Sequence, residues 1–180
     1  MSAELIGNTH VQRALQKELR SPLLFYGTAG IGKKTFARAY FEKLLGKKLE
    51  NHPDYRHFVP EGKGYVHTIA RMHDLIREIE TPPHSAPVKS ILIQEADRFN
   101  DASSNALLKT LEEHPPFVRI VLTAENLDDL LPTIVSRCLK VPFHPASLDE
   151  LTQFIQSRAA LRYRLRVAEI HARHVHEQRT

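Results

Sequence analysis

A glycine-rich segment between an apolar run and a helix-like run constrains this chain most. Residues 27–35 read Gly-Thr-Ala-Gly-Ile-Gly-Lys-Lys-Thr, after Pro22-Leu-Leu-Phe-Tyr26 and before residues 36–45. Gly27, Gly30 and Gly32 let the backbone bend so that several N–H groups converge on one phosphate chain. Lys33 adds a point charge, and the start of the following helix adds a partial positive charge. The pattern predicts a strand, a phosphate-binding loop and a helix.

One position in this loop departs from the pattern. The residue after Lys33 is expected to carry a hydroxyl that holds Mg²⁺. That position is Lys34, and Thr35 comes one place late. A second ammonium group next to a metal site repels the cation. We therefore expect a phosphate-loop fold with weak or lost ATP chemistry, in which ATP or ADP is the candidate ligand and Mg²⁺ has little support.

The composition is typical of a soluble globular protein rather than of a membrane or disulfide-rich protein. The 180 residues are 42% hydrophobic and 26% charged, with a net charge of +4. Cys138 is the single cysteine, which excludes an intramolecular disulfide and a cysteine-based metal site. No apolar run approaches the roughly 20 residues of a membrane span, and the first residues do not resemble a signal peptide. We expect a cytoplasmic location.

Apolar periodicity predicts alternating strands and helices. The predicted helices cover residues 11–19, 35–45, 70–79 and 103–113, with a helical turn at 127–131 and one or two helices in 148–173. Predicted strands cover 23–26, 90–93, 118–123 and 139–141, and a short one is expected near Phe58-Val59-Pro60. Continuous apolar strands of this kind indicate a parallel sheet covered by helices on both faces. We expect a nucleotide-binding-type domain at 1–143 and a lid-like or basic helical segment at 144–180.

The strand at residues 90–93 leads into a second polar cluster, Gln94-Glu95-Ala96-Asp97. In phosphate-loop ATPases an aspartate at this strand end supports Mg²⁺, and a neighbouring acid orients the attacking water. Gln94 takes the first position, and its neutral amide cannot balance a cation. Glu95 takes the second position as a vestigial or weak catalytic residue. Lys34 and Gln94 thus both depart from the ATPase pattern in a way that weakens support for Mg²⁺.

Five short motifs in a fixed order now carry a family resemblance. They are Leu5-Ile-Gly7, the phosphate loop, Glu95-Ala-Asp97, the run 106–113 (Ala-Leu-Leu-Lys-Thr-Leu-Glu-Glu), and Ser136-Arg-Cys138. Together they resemble the AAA+ modules of sliding-clamp loaders, and most closely the delta prime subunits of bacterial DNA polymerase III, over roughly residues 5 to 155.

This resemblance implies a subunit of a ring-like complex that places a sliding clamp on primer-template DNA during replication. Its partners would be gamma/tau-type and delta-type subunits, the clamp and the DNA, with no membrane. Arg137 of Ser136-Arg-Cys138 would act as an arginine finger, reaching ATP bound by a neighbouring subunit. A planar guanidinium suits that chemistry, because it can bind a γ-phosphate as charge develops. The alternative for Arg137 is a surface arginine that caps a helix.

Several positions depart from the family. Many members bind zinc through cysteines before the His-Pro-Asp turn; this chain has His52-Pro-Asp54 without them, so no zinc is expected and His52 and His57 are expected in solvent. The sensor position, usually a small polar residue, falls near Glu125, with Asn126 adjacent. The family's helical lid has room to begin near Leu148, but its collar does not fit. In the basic segment after Arg158, His171 and His174 are compatible with a shared metal, although a solvated helix is favoured.

Two other function classes stay open on the sequence. One is a self-contained AAA+ ATPase, supported by Lys33, Glu95 and a shifted Thr35. The other is a nucleic-acid-binding module with a vestigial nucleotide site, suggested by the basic C-terminal segment. The departures at Lys34, Gln94 and Glu125 favour an accessory subunit over the first, and Ser136-Arg-Cys138 favours it over the second.

Overall fold

Five parallel strands form a single sheet in the computed structural model, which describes residues 5–156. The strands are β1 (Leu23–Tyr26), β2 (Tyr55–Phe58), β3 (Lys89–Ile93), β4 (Val118–Ala124) and β5 (Leu139–Pro142). Their spatial order is β2-β3-β4-β1-β5, and each neighbouring pair is parallel. The register aligns Tyr26 with Ala124 and Ile93 with Leu122. Because parallel strands end at the same edge, the segments after β1, β3 and β4 meet there.

Five α-helices and one 3₁₀ turn lie before and between these strands. They are α1 (Thr9–Ala14), α2 (Lys33–Leu45), α3 (Ile69–Glu80), the 3₁₀ turn Ala96–Arg98, α4 (Asp101–Glu112) and α5 (Pro132–Val135). Alternate residues of one strand enter opposite cores: Leu24 packs with α3 and α4, whereas Leu23 and Phe25 pack with α1 and α2. The sheet is therefore covered on both faces, which confirms the predicted α/β class.

Three elements, α1, β2 and α5, differ most from the prediction, and the others agree to within two residues. Helix α1 ends at Ala14 rather than Leu19, and Lys43 from α2 donates to the carbonyls of Leu15 and Gln16 just after it (3.4 and 2.7 Å). Its N-cap is Asn8, in the left-handed region, and Thr9 is the first helical residue. The Asn8 side chain instead pairs with the backbone of His144.

The second difference is β2, which begins at Tyr55 and ends at Phe58, before the predicted position. Its polar residues suit an edge strand, which packs less deeply than the central ones. The third is the short helix before β5. The predicted helical turn is present as a turn at residues 127–130, closed by the Leu130 N–H and the Leu127 carbonyl (3.1 Å). Helix α5, which was not predicted, begins at Pro132, whose fixed φ favours the first helical position.

The chain divides into two compact units, Met1–Pro145 and Ala146–Thr180. In the second unit, residues 148–156 are helical. Ser147 and Glu150 form a reciprocal cap at its start: Glu150 N–H donates to the Ser147 hydroxyl (3.2 Å), and Ser147 N–H donates to the Glu150 carboxylate (2.8 Å). The predicted helix beyond residue 156, with His171 and His174, lies outside the described residues. Between residues 5 and 156, no helix is long and apolar enough to cross a membrane.

Candidate functional site

The loop between β1 and α2 has the backbone shape that phosphate binding needs. Gly27, Gly30 and Gly32 have φ of 140°, 76° and 96°, a region that side chains with a Cβ rarely adopt. At Gly27 the space is also closed, since an added Cβ would lie 2.5 Å from the Phe143 carbonyl oxygen. Both the conformation and the packing therefore require glycine at this position.

Lys33 is the first residue of α2 and folds back over this loop. Its ammonium donates to the carbonyls of Gly27 and Thr28, the latter at 2.8 Å. Burial lowers the pKa of Lys33, while the nearby carboxylates of Glu125, Asp97 and Glu95 act in the opposite direction. The lysine thus lies at the end of the sheet where the acidic segments after β3 and β4 converge.

A cavity of about 250 Å³ lies beside this loop. It brings together the predicted loop residues and the ends of β3 and β4; its lining is Ala29, Gly30, Gly32, Lys33, Lys34, Thr35, Gln94, Glu95, Thr123, Ala124 and Glu125. Gly27 is not part of this lining. The loop glycines and Lys33 fit a nucleotide's phosphates, because they offer flexible backbone donors and a cation.

The side of the cavity where a metal would be supported carries positive charge instead. Burial lowers the pKa of His57, and the charge of Lys34 lowers it further, so Lys34 lies near this ring. His57 Nε2 is 3.2 Å from Gln94 Oε1, which places both residues at the same strand end. Within residues 5–156, no group of three or more His, Cys, Asp or Glu side chains could hold a metal. Lys34 and Gln94 offer neither the hydroxyl nor the carboxylate that supports Mg²⁺ in a phosphate loop of this kind.

Glu95 is held in place from three directions. Its backbone is left-handed, with φ 54°, and its N–H donates to the Thr123 hydroxyl (3.0 Å). The Tyr65 hydroxyl and the Gln94 amide donate to Glu95 Oε1 at 3.2 and 2.8 Å. Sequence reasoning missed Tyr65 and Thr123 because each is remote from Glu95 along the chain. A small polar residue near the end of β4 was the available signal for Thr123.

The carboxylates of Glu125 and Asp97 also lie near Lys33. The expected sensor position near Glu125 does line the cavity, one residue beyond β4, while Thr123 on the strand makes the contact to Glu95. Burial raises the pKa of Asp97, and one of its oxygens is buried without a hydrogen-bond partner among the described residues. A triphosphate at Lys33 would face the carboxylates of Glu95 and Glu125, which line the cavity, and this weakens its binding.

Arg137 lies outside this cavity and is oriented by its own chain. Its Nε and Nη2 donate to Glu112 Oε2 at 3.0 and 2.9 Å, and Nη1 donates to the Thr133 carbonyl at 3.0 Å. The side chain is 30% exposed. It borders a separate cavity of about 490 Å³, together with Arg20, His114 and Arg119. Arg137 thus caps α5, as the alternative interpretation expected, and still presents part of its guanidinium to solvent.

The residues on either side of Arg137, Ser136 and Cys138, have structural contacts in the turn after α5. The Ser136 hydroxyl donates to the same Thr133 carbonyl (3.1 Å). Cys138 is buried in the core, and burial raises the pKa of its thiol to about 12. The adjacent arginine therefore does not lower this pKa, and Cys138 is not a reactive thiol.

The His52-Pro-Asp54 turn is a structural anchor, and the expectation that its histidine lies in solvent was wrong. His52 is 9% exposed, and its Nδ1 accepts the Asp54 N–H (3.1 Å). His57 is also partly buried, against Gln94. Asp54 is fully buried and accepts backbone N–H groups of His84, Ser85 and Ala86. Its partners lie about 30 residues away, and backbone donors leave no signature in sequence.

The parallel sheet, its strand order and the glycine loop between β1 and α2 define a P-loop protein of the AAA+ class. Solved structures with this fold include a DNA polymerase III gamma subunit-related protein from Thermotoga maritima, with a TM-score of 0.66 and 24% identity over 76% of this chain and 45% of that one. RuvB from Thermotoga maritima has a TM-score of 0.65 and 19% identity over 88% of this chain and 52% of its own.

The chain belongs to the family described as DNA polymerase III, delta subunit, whose model matches residues 5–147. It is 29% identical to the DNA polymerase III subunit delta' of Pseudomonas aeruginosa over 76% of this chain, and 30% identical to the subunit tau/gamma of Haemophilus influenzae over 87%. It is 29% identical to the replication factor C small subunit of Methanococcus maripaludis over 84%. The chain spans 48%, 25% and 48% of these relatives' lengths, respectively. These matches confirm the resemblance to clamp-loader proteins of DNA replication.

Proposed function

We propose that this chain is a delta-prime-like subunit of a DNA polymerase III clamp loader, which helps to place the sliding clamp on primer-template DNA. Its part would be to supply Arg137 as an arginine finger to a neighbouring ATPase subunit of gamma/tau type, in a complex that also contains a delta-type subunit. The observation that carries the proposal is the placement of Arg137: partly exposed, oriented by Glu112, and outside the cavity that contains Lys33.

The chain's own ATPase activity would be weak or absent. Lys34 lies near His57 and Gln94, where a metal-supporting hydroxyl and carboxylate are expected. A cation there opposes Mg²⁺, and Gln94 does not compensate for the metal's charge. ATP or ADP could still be held by the loop and Lys33, as a structural ligand rather than a substrate.

A self-contained ATPase is the second candidate, and one observation favours it. Thr35 lines the same cavity as Lys33 and Glu95, so its hydroxyl could replace the one missing at Lys34. The nucleic-acid-binding alternative rests on the basic C-terminal segment, which lies beyond the described residues.

The proposed action of Arg137 on ATP bound by a neighbouring subunit, its trans role, is tested in the reconstituted clamp loader with clamp and primed DNA. Arg137→Ala should leave the circular dichroism spectrum and thermal midpoint of the chain unchanged within a few degrees. It should lower the complex's ATPase rate by roughly tenfold or more, since arginine fingers stabilise phosphoryl transfer strongly. Arg13→Ala, at an exposed arginine of α1, is the matched control. A complex with Arg137→Ala that hydrolyses ATP at the normal rate would refute the trans role.

The nucleotide site is tested on the chain alone. A fluorescent ATP analogue is titrated with and without Mg²⁺, and phosphate release is then assayed in the same sample. We expect no turnover, and little effect of Lys33→Ala on the reconstituted complex. Turnover by the isolated chain that Lys33→Ala abolishes would instead establish the self-contained ATPase.

A further inference from the structure

The acid that contacts Arg137 occupies an unusual position for its charge. Glu112 is the last residue of α4, where the helix dipole places partial negative charge and disfavours a carboxylate. Arg137 offsets that cost, because two of its nitrogens bind Glu112 Oε2 at 3.0 and 2.9 Å. The pair joins residues 25 positions apart, on α4 and on the turn after α5.

This contact and the Thr133 carbonyl hold the guanidinium along two sides. Three of its N–H groups, one on each of Nε, Nη2 and Nη1, donate hydrogen bonds. An arginine has five such donors in a fixed plane, so two remain for another acceptor. Because the plane is rigid, fixing three donors also fixes the direction of the other two.

We propose that Glu112 is a positioning residue for Arg137: it orients the guanidinium so that its two remaining donors can meet a phosphate of the neighbouring subunit's nucleotide. The inference rests on the proposed trans role of Arg137. Without Glu112 the side chain keeps its charge and its Thr133 contact but loses two of its three fixed donors. A guanidinium that samples several rotamers presents the productive geometry for a smaller fraction of the time.

The first test concerns geometry and needs only the chain itself. In nitrogen-15 NMR spectra, the Arg137 Nε–H signal, assigned by its loss in Arg137→Ala, should show slowed exchange with water. Glu112→Gln should accelerate that exchange, because a neutral amide is a weaker acceptor. Glu113→Gln, at the adjacent exposed acid, is the matched control and should leave it unchanged. Equal exchange in all three proteins would overturn the positioning role.

The second test concerns function, in the reconstituted complex with clamp and primed DNA. Glu112→Ala should lower the ATPase kcat by roughly three- to tenfold, with a smaller change in KM, because a displaced catalytic group slows the chemical step. Glu112→Gln should fall between Glu112→Ala and wild type. In the Arg137→Ala background, Glu112→Ala should have no additional effect, which a general role in folding or assembly would not produce.

The outcomes separate this inference from the proposal on which it rests. If Arg137→Ala slows the complex and the Glu112 variants do not, Arg137 acts in trans without positioning by Glu112, and only the inference is refuted. If Glu112→Ala slows the complex equally with and without Arg137, Glu112 acts elsewhere and the inference is again refuted. If Arg137→Ala leaves the rate unchanged, the trans role fails and the inference fails with it.

Discussion

Replacing the buried carboxylate of Asp54 should destabilise the fold by an amount that the structure allows us to work out. Burial by itself raises the pKa of Asp54, but hydrogen bonds from the backbone N–H groups of His84, Ser85 and Ala86 and from the Ser85 hydroxyl outweigh it, and the pKa falls from 3.8 to about 2. That difference corresponds to about 2 kcal/mol of folding free energy at neutral pH. Asp54→Asn also turns an amide donor toward backbone donors, so we expect a loss of roughly 2–4 kcal/mol.

The contribution of Asp54 to the unfolding free energy depends on pH. Because the folded pKa is below the unfolded one, the stabilisation is complete well above pH 3.8 and is lost as the pH falls toward 2. The gap in unfolding free energy between wild type and Asp54→Asn should therefore shrink by about 1 kcal/mol between pH 7 and pH 3.

Urea unfolding followed by circular dichroism at both pH values measures this gap. Asp128→Asn, at an exposed aspartate, is the control and should change stability by less than about 0.5 kcal/mol. A gap for Asp54→Asn that is equally small, or that does not change with pH, would refute the reasoning.

Three further predictions concern other parts of the structure. Cys138, with a pKa raised to about 12, should react with a disulfide reagent at pH 8 at least roughly a hundredfold more slowly in the folded chain than in urea; rapid labelling of the folded chain would contradict its burial. Gly27→Ala places a Cβ 2.5 Å from the Phe143 carbonyl oxygen and should cost about 2 kcal/mol or more in urea unfolding. Gly62→Ala, also at positive φ but in open space, should cost less, and equal losses would show that the clash at Gly27 is relieved. Lys34→Thr combined with Gln94→Asp should make nucleotide binding roughly tenfold tighter with Mg²⁺ than without it, as measured by titration; no gain with Mg²⁺ would mean that other residues exclude the metal.

The sequence predicted what local patterns encode. The strand Leu23–Tyr26 was placed with its observed bounds, because an apolar run followed by a glycine loop limits both its ends. Gly30, Gly32, Lys33, Lys34, Thr35 and Glu95 line one cavity, since the ends of parallel strands share one edge of the sheet.

The contacts that hold the site in place were not predictable in the same way. Glu112 meets Arg137, and Tyr65 meets Glu95, across 25 and 30 positions of sequence. Glu112 and Arg137 belong to two different motifs, but neither motif indicates that the two side chains meet, and Tyr65 belongs to no motif. The buried state of His52 was missed for a similar reason, since its neighbour Asp54 is anchored by backbone groups that any sequence supplies.

The glycine loop has a structural role that does not depend on nucleotide, and this explains how a good loop can coexist with a poor metal site. Gly27 packs against the Phe143 carbonyl, and the Phe143 ring lies 5.0 and 5.1 Å from the rings of Phe25 and Phe36. Ile31 also packs against the core that contains Phe25, Phe36 and Phe143, so the loop is attached to that core at two points. Lys34, by contrast, is exposed, so a change there disturbs no packing. A match to the glycine pattern therefore supports the fold more strongly than it supports ATP hydrolysis. The same reasoning fits the proposed division of labour, in which this chain keeps the scaffold and contributes Arg137 to a neighbour's chemistry.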